Sequence, residues 1–278
     1  MRDNTMQKTI FITGSTDGIG LELAKKLALQ GQHILLHGRN EKKLEAAKKI
    51  VSEVSGNLNV ETYLADLSRL GDVEMLAKAV IEHHDKIDVL INNAGILKTA
   101  EPITQDGLDV RFVVNTLAPY LLTKKLLPVM DVTGRVINLS SAAQSPVNLE
   151  ALAGKLKLTD DLDAYAQSKL AITMWSRSMA LAFKDKGPVF IAVNPGSLLA
   201  TKMVKEGFGM AGKDIGIGAD ILARLALSDE FVTASGKYFD NDLGHFADPH
   251  HNALNVQKTA QLVQAMDKIL AANITIED

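Results

Sequence analysis

The chain has 278 residues, a formal net charge of −3 and no cysteine. That length fits one large α/β domain and leaves little room for a second. The mild acidity lacks the basic excess a nucleic-acid or anionic-membrane partner needs, and the missing thiol excludes disulfides, thiolate metal centres and a cysteine nucleophile.

The N-terminal stretch Met1 to Gln7 is polar, without the apolar core of a signal peptide. No run approaches the roughly 18 apolar residues of a membrane span, so a soluble cytoplasmic protein is expected. Ile10 to Thr13 reads as a first strand, and a glycine-rich turn leads into a helix from Leu21 to Leu29 that Gly31 ends. His33 to Leu36 is a second strand, Glu41 to Val54 an amphipathic helix with a lysine-rich wet face, Val60 to Leu64 a strand, Val73 to His83 a helix and Ile87 to Ile91 a strand. A long helix is expected from Asp109 to Leu127, kinked at Pro119. Strand Arg135 to Leu139, helix Tyr165 to Phe183 and strand Pro188 to Val193 follow. A glycine-dotted loop then spans Ser197 to Gly218, before helix Ile221 to Leu227, strand Gly236 to Phe239 and helix Val256 to Ala271. Short buried strands alternating with helices imply βαβ units. The expected architecture is a single α/β domain over residues 1–278: one doubly wound (Rossmann) parallel sheet of about seven strands, with helices on both faces.

Three glycines sit in the first strand-to-helix turn, Thr13-Gly14-Ser15-Thr16-Asp17-Gly18-Ile19-Gly20. Free N–H groups and the dipole at a helix start attract a pyrophosphate, and glycine lets the backbone approach it. The spacing G-x-x-x-G-x-G differs from the G-x-G-x-x-G fingerprint. At the end of the second strand, where an acid would hold an adenine ribose hydroxyl, the chain reads His37-Gly38-Arg39-Asn40. The Arg39 guanidinium suits a 2′-phosphate, which favours NADP(H).

Tyr165 and Lys169 lie four apart on one helix and so share a face. A nearby ammonium is expected to lower the phenol's pKa from about 10 and make it a usable acid–base. Arg135-Val136-Ile137-Asn138-Leu139-Ser140-Ser141 ends a strand in two hydroxyls, one of which could donate to an oxyanion. Asn115 falls among apolar neighbours inside a helix, where asparagine is unfavourable without a reason.

The first-turn motif, with Asn92-Asn93-Ala94-Gly95, Ser141, Tyr165-x-x-x-Lys169 and Asn194-Pro195-Gly196 in this order, resembles the short-chain dehydrogenase/reductase family. The resemblance runs from Thr13 to about Thr201 and is looser beyond. It implies cofactor contacts from Gly14, Ser15, Thr16, Asp17, Gly18, Ile19, Gly20, Arg39, Asp66, Leu67, Asn93, Ala94, Gly95, Tyr165, Lys169, Pro195, Gly196 and Thr201. Ser141, rather than Ser140, would donate to the oxyanion. Tyr165 would be the general acid/base, Lys169 would hold the nicotinamide ribose, and Asn115 would bind a relay water. Asp66 or Ser68 could instead cap the following helix. Many NADP-preferring relatives carry a basic residue where Asp17 stands, and Thr201 lies one residue further from its glycine than is common.

Ser141 and Tyr165 are 24 apart, which, with Gly236-Lys237-Tyr238-Phe239, resembles the retinol-dehydrogenase-like branch. That implies a carbonyl reductase of aldehydes, retinoids, steroids or xenobiotic carbonyls. The expected partner is therefore a small apolar carbonyl or alcohol; Met203, Phe208 and Met210 of the glycine-dotted loop could close over it, or the segment is a flexible surface loop with no lid function. Family resemblance also implies a homodimer or homotetramer. His83-His84 and His250-His251 lack an obvious carboxylate partner in the sequence and are read as solvated, with no metal expected. A non-catalytic NADP-binding redox sensor would use the same fold without needing Ser141, Tyr165 and Lys169.

Overall fold

Runs of β-branched and large apolar residues build the sheet of the computed structural model, which describes residues 7–56 and 59–274. The first six residues of the polar N-terminal stretch lie outside the described residues, as does the Phe208 side chain. The strands are β1 (Thr9–Ile12), β2 (His33–Gly38), β3 (Val60–Leu64), β4 (Val89–Asn92), β5 (Arg135–Leu139), β6 (Val189–Asn194), β7 (Tyr238–Asp240) and β8 (His245–Ala247). Every residue of β4 and β5 is buried, as expected of strands covered on both faces.

The strands form one eight-stranded sheet in the order β3-β2-β1-β4-β5-β6-β7-β8. All neighbouring pairs are parallel except β7 and β8. Chain order reverses between β1 and β4, and this switch point is where a doubly wound sheet opens a crevice.

The helices are α1 (Gly18–Leu29), α2 (Glu41–Ser55), α3 (Leu70–His83), α4 (Val110–Phe112), α5 (Ala118–Leu126), α6 (Leu149–Leu152), α7 (Asp161–Phe183), α8 (Lys202–Phe208), α9 (Gly216–Leu227), α10 (His251–Leu254) and α11 (Val256–Asn273). Leu23, Leu27, Ala47, Val51, Leu222 and Leu225, from α1, α2 and α9, share one apolar cluster with Ile10, Ile12, Ile34 and Leu36. Leu76, Val80, Leu121, Trp175 and Met266, from α3, α5, α7 and α11, form the other cluster with Phe11, Leu35 and Leu90. The alternation of side chains along β1 and β2 therefore feeds two cores, one on each face. Among the described residues, no helix is long and apolar enough to cross a membrane.

Four features differ from the sequence reading. An eighth strand exists: β8 pairs antiparallel with β7 after a turn in which Gly244 takes φ +75°. The segment 109–127 is not one helix kinked at Pro119. Its break is a π-helical turn at Val113–Leu117 containing Asn115, and Pro119 sits harmlessly in the first turn of α5. The segment 197–218 is not a plain loop. It contains α8 and the start of α9, and a bridge from Leu199 to Lys213 closes its base. Neither Asp66 nor Ser68 caps α3: the N-cap position is Arg69, without a side-chain bond, while Asp66 Oδ1 accepts from the Ser68 amide and hydroxyl.

Candidate active site

A cleft of about 470 Å³ opens at the carboxyl ends of the central strands. At its base the glycine turn is held by three neighbouring segments. Asn93 Nδ2 donates to the carbonyls of Thr13 and Gly14, both at 2.9 Å. Thr13 Oγ1 accepts from the amides of Asn93 and Ala94 at 3.0 and 3.1 Å. From β2, His37 Nδ1 accepts from the Gly14 amide at 3.0 Å, while its Nε2 lies 3.2 Å from the Ala65 carbonyl. That pattern fixes the neutral Nε2–H tautomer. Burial lowers the His37 pKa to about 4, which keeps the ring neutral.

Two of the turn's three glycines, Gly14 and Gly20, have no space for a side chain. Gly14 adopts φ +63°, and a Cβ there would sit 2.8 Å from Ala94 Cα. A Cβ at Gly38 would sit 2.5 Å from Thr16 Cγ2, and one at Gly20 would strike Gly14 O at 2.4 Å. Backbone amides here, at the first turn of α1, are placed where they could hold a pyrophosphate. Arg39 stands exposed at the cleft's edge, and among the described residues it makes no ion pair.

Fifteen of the expected cofactor residues line this cleft: Gly14, Thr16, Asp17, Gly18, Ile19, Arg39, Asp66, Leu67, Asn93, Ala94, Gly95, Tyr165, Lys169, Pro195 and Thr201. Ser15, Gly20 and Gly196 do not. Ser15 is buried, with its hydroxyl accepting from the His37 amide at 2.8 Å, so it ties the turn to β2. Gly20 packs under the turn, and Gly196 bends the chain after β6 at φ +123°. Thr201 Oγ1 accepts from the Val204 amide and caps α8, which leaves its own proton free to donate.

Helix α7 carries Tyr165 and Lys169. Its start is anchored by Arg111, only 1% exposed, whose fork engages Asp109 at 2.6 and 2.8 Å and Asp161 at the first residue of α7. Lys169 is buried, with Nζ donating to Leu139 O at 2.7 Å and lying 5.6 Å from the Tyr165 ring centroid. Burial pulls its pKa down to about 8. The expectation that Lys169 lowers the Tyr165 pKa is corrected. Burial pushes the phenol up, and the opposing influence is a hydrogen bond with Ser141. Lys169 is itself desolvated and turned toward a carbonyl, so its charge is weak support for a phenolate.

The two strand-end serines divide. Ser140 is buried, donating to Lys169 O at 2.9 Å and sharing a 2.7 Å bond with Thr173, so it docks β5 onto α7. Ser141 Oγ accepts from the Ala143 amide at 3.1 Å and acts to lower the Tyr165 pKa against burial, and its carbonyl accepts from Tyr238 at 3.0 Å and Gln144 at 2.9 Å. Asn115 lies behind them rather than on the cleft wall. Its side chain pairs with both backbone groups of Ile96 at 2.8 and 2.9 Å and donates to Ser168 Oγ at 2.9 Å. A Cβ at Gly95 would lie 3.4 Å from both Asn115 Oδ1 and Lys169 Nζ, so the glycine sits close against both polar groups.

Sequence reasoning missed several cleft residues. Ile96, Leu97, Lys98 and Thr99 follow the Asn-Asn-Ala-Gly segment and line the wall opposite α7. Lys202 and Glu206 come from α8, a short helix hidden in the sequence by Gly207 and the glycine that follows it. Within the segment 197–218, Met203 lines the cleft, and Met210 is exposed.

Comparison with known proteins agrees with this geometry. The family model for short chain dehydrogenases matches residues 8–211. Human retinol dehydrogenase 13 is 32% identical over 251 residues, covering 84% of this chain and 76% of its own. A solved but uncharacterised protein from Mycobacterium paratuberculosis superposes with a TM-score of 0.79 at 26% identity, covering 95% of this chain and 94% of its own. A short chain dehydrogenase from Escherichia coli CFT073, solved with NADPH, gives 0.70 at 25% identity over 87% of this chain and 99% of its own. The chain belongs to the short-chain dehydrogenase family, in its retinol-dehydrogenase-like branch.

Proposed function

We propose that this chain is an NADP(H)-dependent oxidoreductase that interconverts an apolar aldehyde or ketone with its alcohol. The observation that carries this reading is the convergence of the glycine turn, Arg39, Tyr165 and Lys169 on one cleft, with Ser141 acting on the Tyr165 phenol. The residues fit a dinucleotide carrying a 2′-phosphate. The α1 N-terminus and the glycine turn would hold its pyrophosphate, and Arg39 would engage the extra phosphate as a fork. The Escherichia coli relative solved in complex with NADPH supports the same cofactor.

When bound, the reduced nicotinamide supplies a hydride to the carbonyl carbon. Ser141 Oγ donates to the carbonyl oxygen and stabilises the charge that grows there. Tyr165 transfers its phenolic proton to that oxygen, so one hydride and one proton complete the alcohol. In the reverse direction Tyr165 accepts the proton. Its raised pKa keeps the phenol protonated at neutral pH, which suits reduction. Lys169 orients the ribose side of the cofactor, and Asn115 fixes the backbone at Ile96 beside it. The apolar side chains of Ile96, Leu97 and Met203 support a hydrophobic substrate, in keeping with the similarity to retinol dehydrogenases.

The test is steady-state oxidation of NADPH and NADH with a panel of apolar aldehydes, ketones and steroids. Turnover with a clear NADPH preference is expected. Arg39→Ala should reduce that preference by about 10- to 100-fold, the value of one or two charge-assisted hydrogen bonds. Equal use of the two cofactors by the unaltered protein would sink the Arg39 assignment. Tight NADPH binding without turnover on any carbonyl would favour the sensor instead.

A further inference from the structure

Far from the cleft, two imidazoles converge on one carboxylate. His33 is the first residue of β2, Glu61 the second of β3, and His84 the residue that ends α3. Glu61 is in register with Leu35, so His33, two residues earlier, projects from the same sheet face. His33 Nε2 lies 2.8 Å from Glu61 Oε1, and His84 Nε2 lies 3.3 Å from Glu61 Oε2. One ligand atom from each residue falls within 4.8 Å of the other two. The sequence reading of His84 as a solvated histidine is thereby corrected: its side chain is only 10% exposed, and its carboxylate partner comes from a different element. His33 and Arg39 lie at opposite ends of β2, so this cluster sits about 20 Å along the strand from the nucleotide end.

We propose that His33, Glu61 and His84 form a binding site for a zinc-class divalent cation, separate from the hydride chemistry. Donors in a tetrahedral zinc site with bonds of about 2.0–2.2 Å lie about 3.3 Å apart. The His84–Glu61 separation matches that value, and the His33–Glu61 pair would open by about 0.5 Å to reach it. A set of two imidazoles and one carboxylate selects a borderline-soft transition metal over magnesium or calcium, which prefer oxygen throughout. Water fills the fourth position, and Glu61, 43% exposed, leaves a way in.

The surroundings are arranged as those of a ligand set. His33 Nδ1 lies 3.5 Å from Thr9 Oγ1, a partner for the ring nitrogen that does not face Glu61. The Tyr63 hydroxyl is 2.9 Å from His84 Nε2, a hydrogen bond that metal ligation through that nitrogen would replace. The two imidazoles meet edge to face, with centroids 5.5 Å apart, leaving both Nε2 atoms turned toward the carboxylate. An ion here would tie β2, β3 and the end of α3 together at the base of the outer sheet.

The test uses the full chain, stripped with chelator and titrated with Co²⁺, whose visible absorption reports nitrogen and oxygen ligation. Zn²⁺ is then added in competition and its affinity measured by calorimetry. One equivalent of Co²⁺ should bind, Zn²⁺ should displace it, and Zn²⁺ should raise Tm. Glu61→Gln and His84→Gln should each weaken Zn²⁺ by at least the 10- to 100-fold typical of losing an outer-shell partner. His251→Gln, in the other histidine pair, should leave the affinity unchanged. Glu61 and His84 are partly exposed and His251 is exposed, and circular dichroism of each variant checks that it is folded. The unaltered protein alone can overturn the site: no saturable cobalt absorption at millimolar metal means there is none. Stoichiometric binding that survives both ligand substitutions, or that is lost in His251→Gln, places the metal elsewhere and equally refutes the proposal.

Discussion

At the scale of single residues, the glycine turn depends on a neutral histidine. His37 accepts from the Gly14 amide through Nδ1, and protonation would remove that lone pair. Its folded pKa of about 4 lies below the ordinary 6.5. Between those values the unfolded chain binds the proton and the folded chain does not, so stability falls as pH drops from 6.5 toward 4. The loss amounts to roughly 3 kcal/mol over that window. Urea unfolding across this range should show the slope, and His37→Gln should flatten it; an unchanged slope in the variant would assign the acid sensitivity to another group. Gly14→Ala tests the same turn sterically. With φ +63° and Ala94 Cα at 2.8 Å, the methyl group must displace the turn. NADPH affinity measured by fluorescence should collapse, and retention of affinity would contradict the cradle.

At the scale of elements, the position of α7 is set by a buried ion cluster and a π turn. Arg111 and Asp109, with side chains 1% and 6% exposed, fasten α4 to the first residue of α7, four residues before Tyr165. Arg111→Ala strands the Asp109 charge in the interior, which costs about 3–5 kcal/mol. A Tm unchanged by this substitution would show the cluster to be dispensable. The Tyr165–Lys169 spacing was legible because two residues four apart on a helix share a face whatever surrounds them. The Arg111 cluster was not legible, since a charged residue in sequence reads as a solvated one. Nor was the π turn at Asn115: its cause is the pairing of that side chain with Ile96, which lies 19 residues earlier. The helix in 202–208 was hidden by glycines, and β8 by its three-residue length and polar start.

At the scale of the whole molecule, strand order places the chemistry. The reversal between β1 and β4 brings the glycine turn, Asn93 and the end of β5 to one edge of the sheet, and α7 lays Tyr165 and Lys169 across it. That arrangement was readable because buried parallel strands leave continuous apolar runs, each followed by its own motif. What sequence could not supply was the electrostatics. Proximity suggested that Lys169 would lower the Tyr165 pKa, whereas burial dominates both groups and moves the phenol up and the ammonium down. A pH consequence follows. With the Lys169 pKa at about 8, its charge is present at neutral pH and lost above 8, so kcat/KM for reduction should fall as pH rises through that value. A flat profile from pH 7 to 10 would separate the reaction from the Lys169 charge.

The most direct test of the central claim is Tyr165→Phe, followed by NADPH binding and turnover on the same preparation. The phenyl ring keeps the packing and removes the hydroxyl, with its acidic proton and its interaction with Ser141. NADPH affinity should stay within a few-fold of the unaltered protein, while kcat falls by about 10²–10⁴. Retained turnover would contradict the claim that Tyr165 donates the proton.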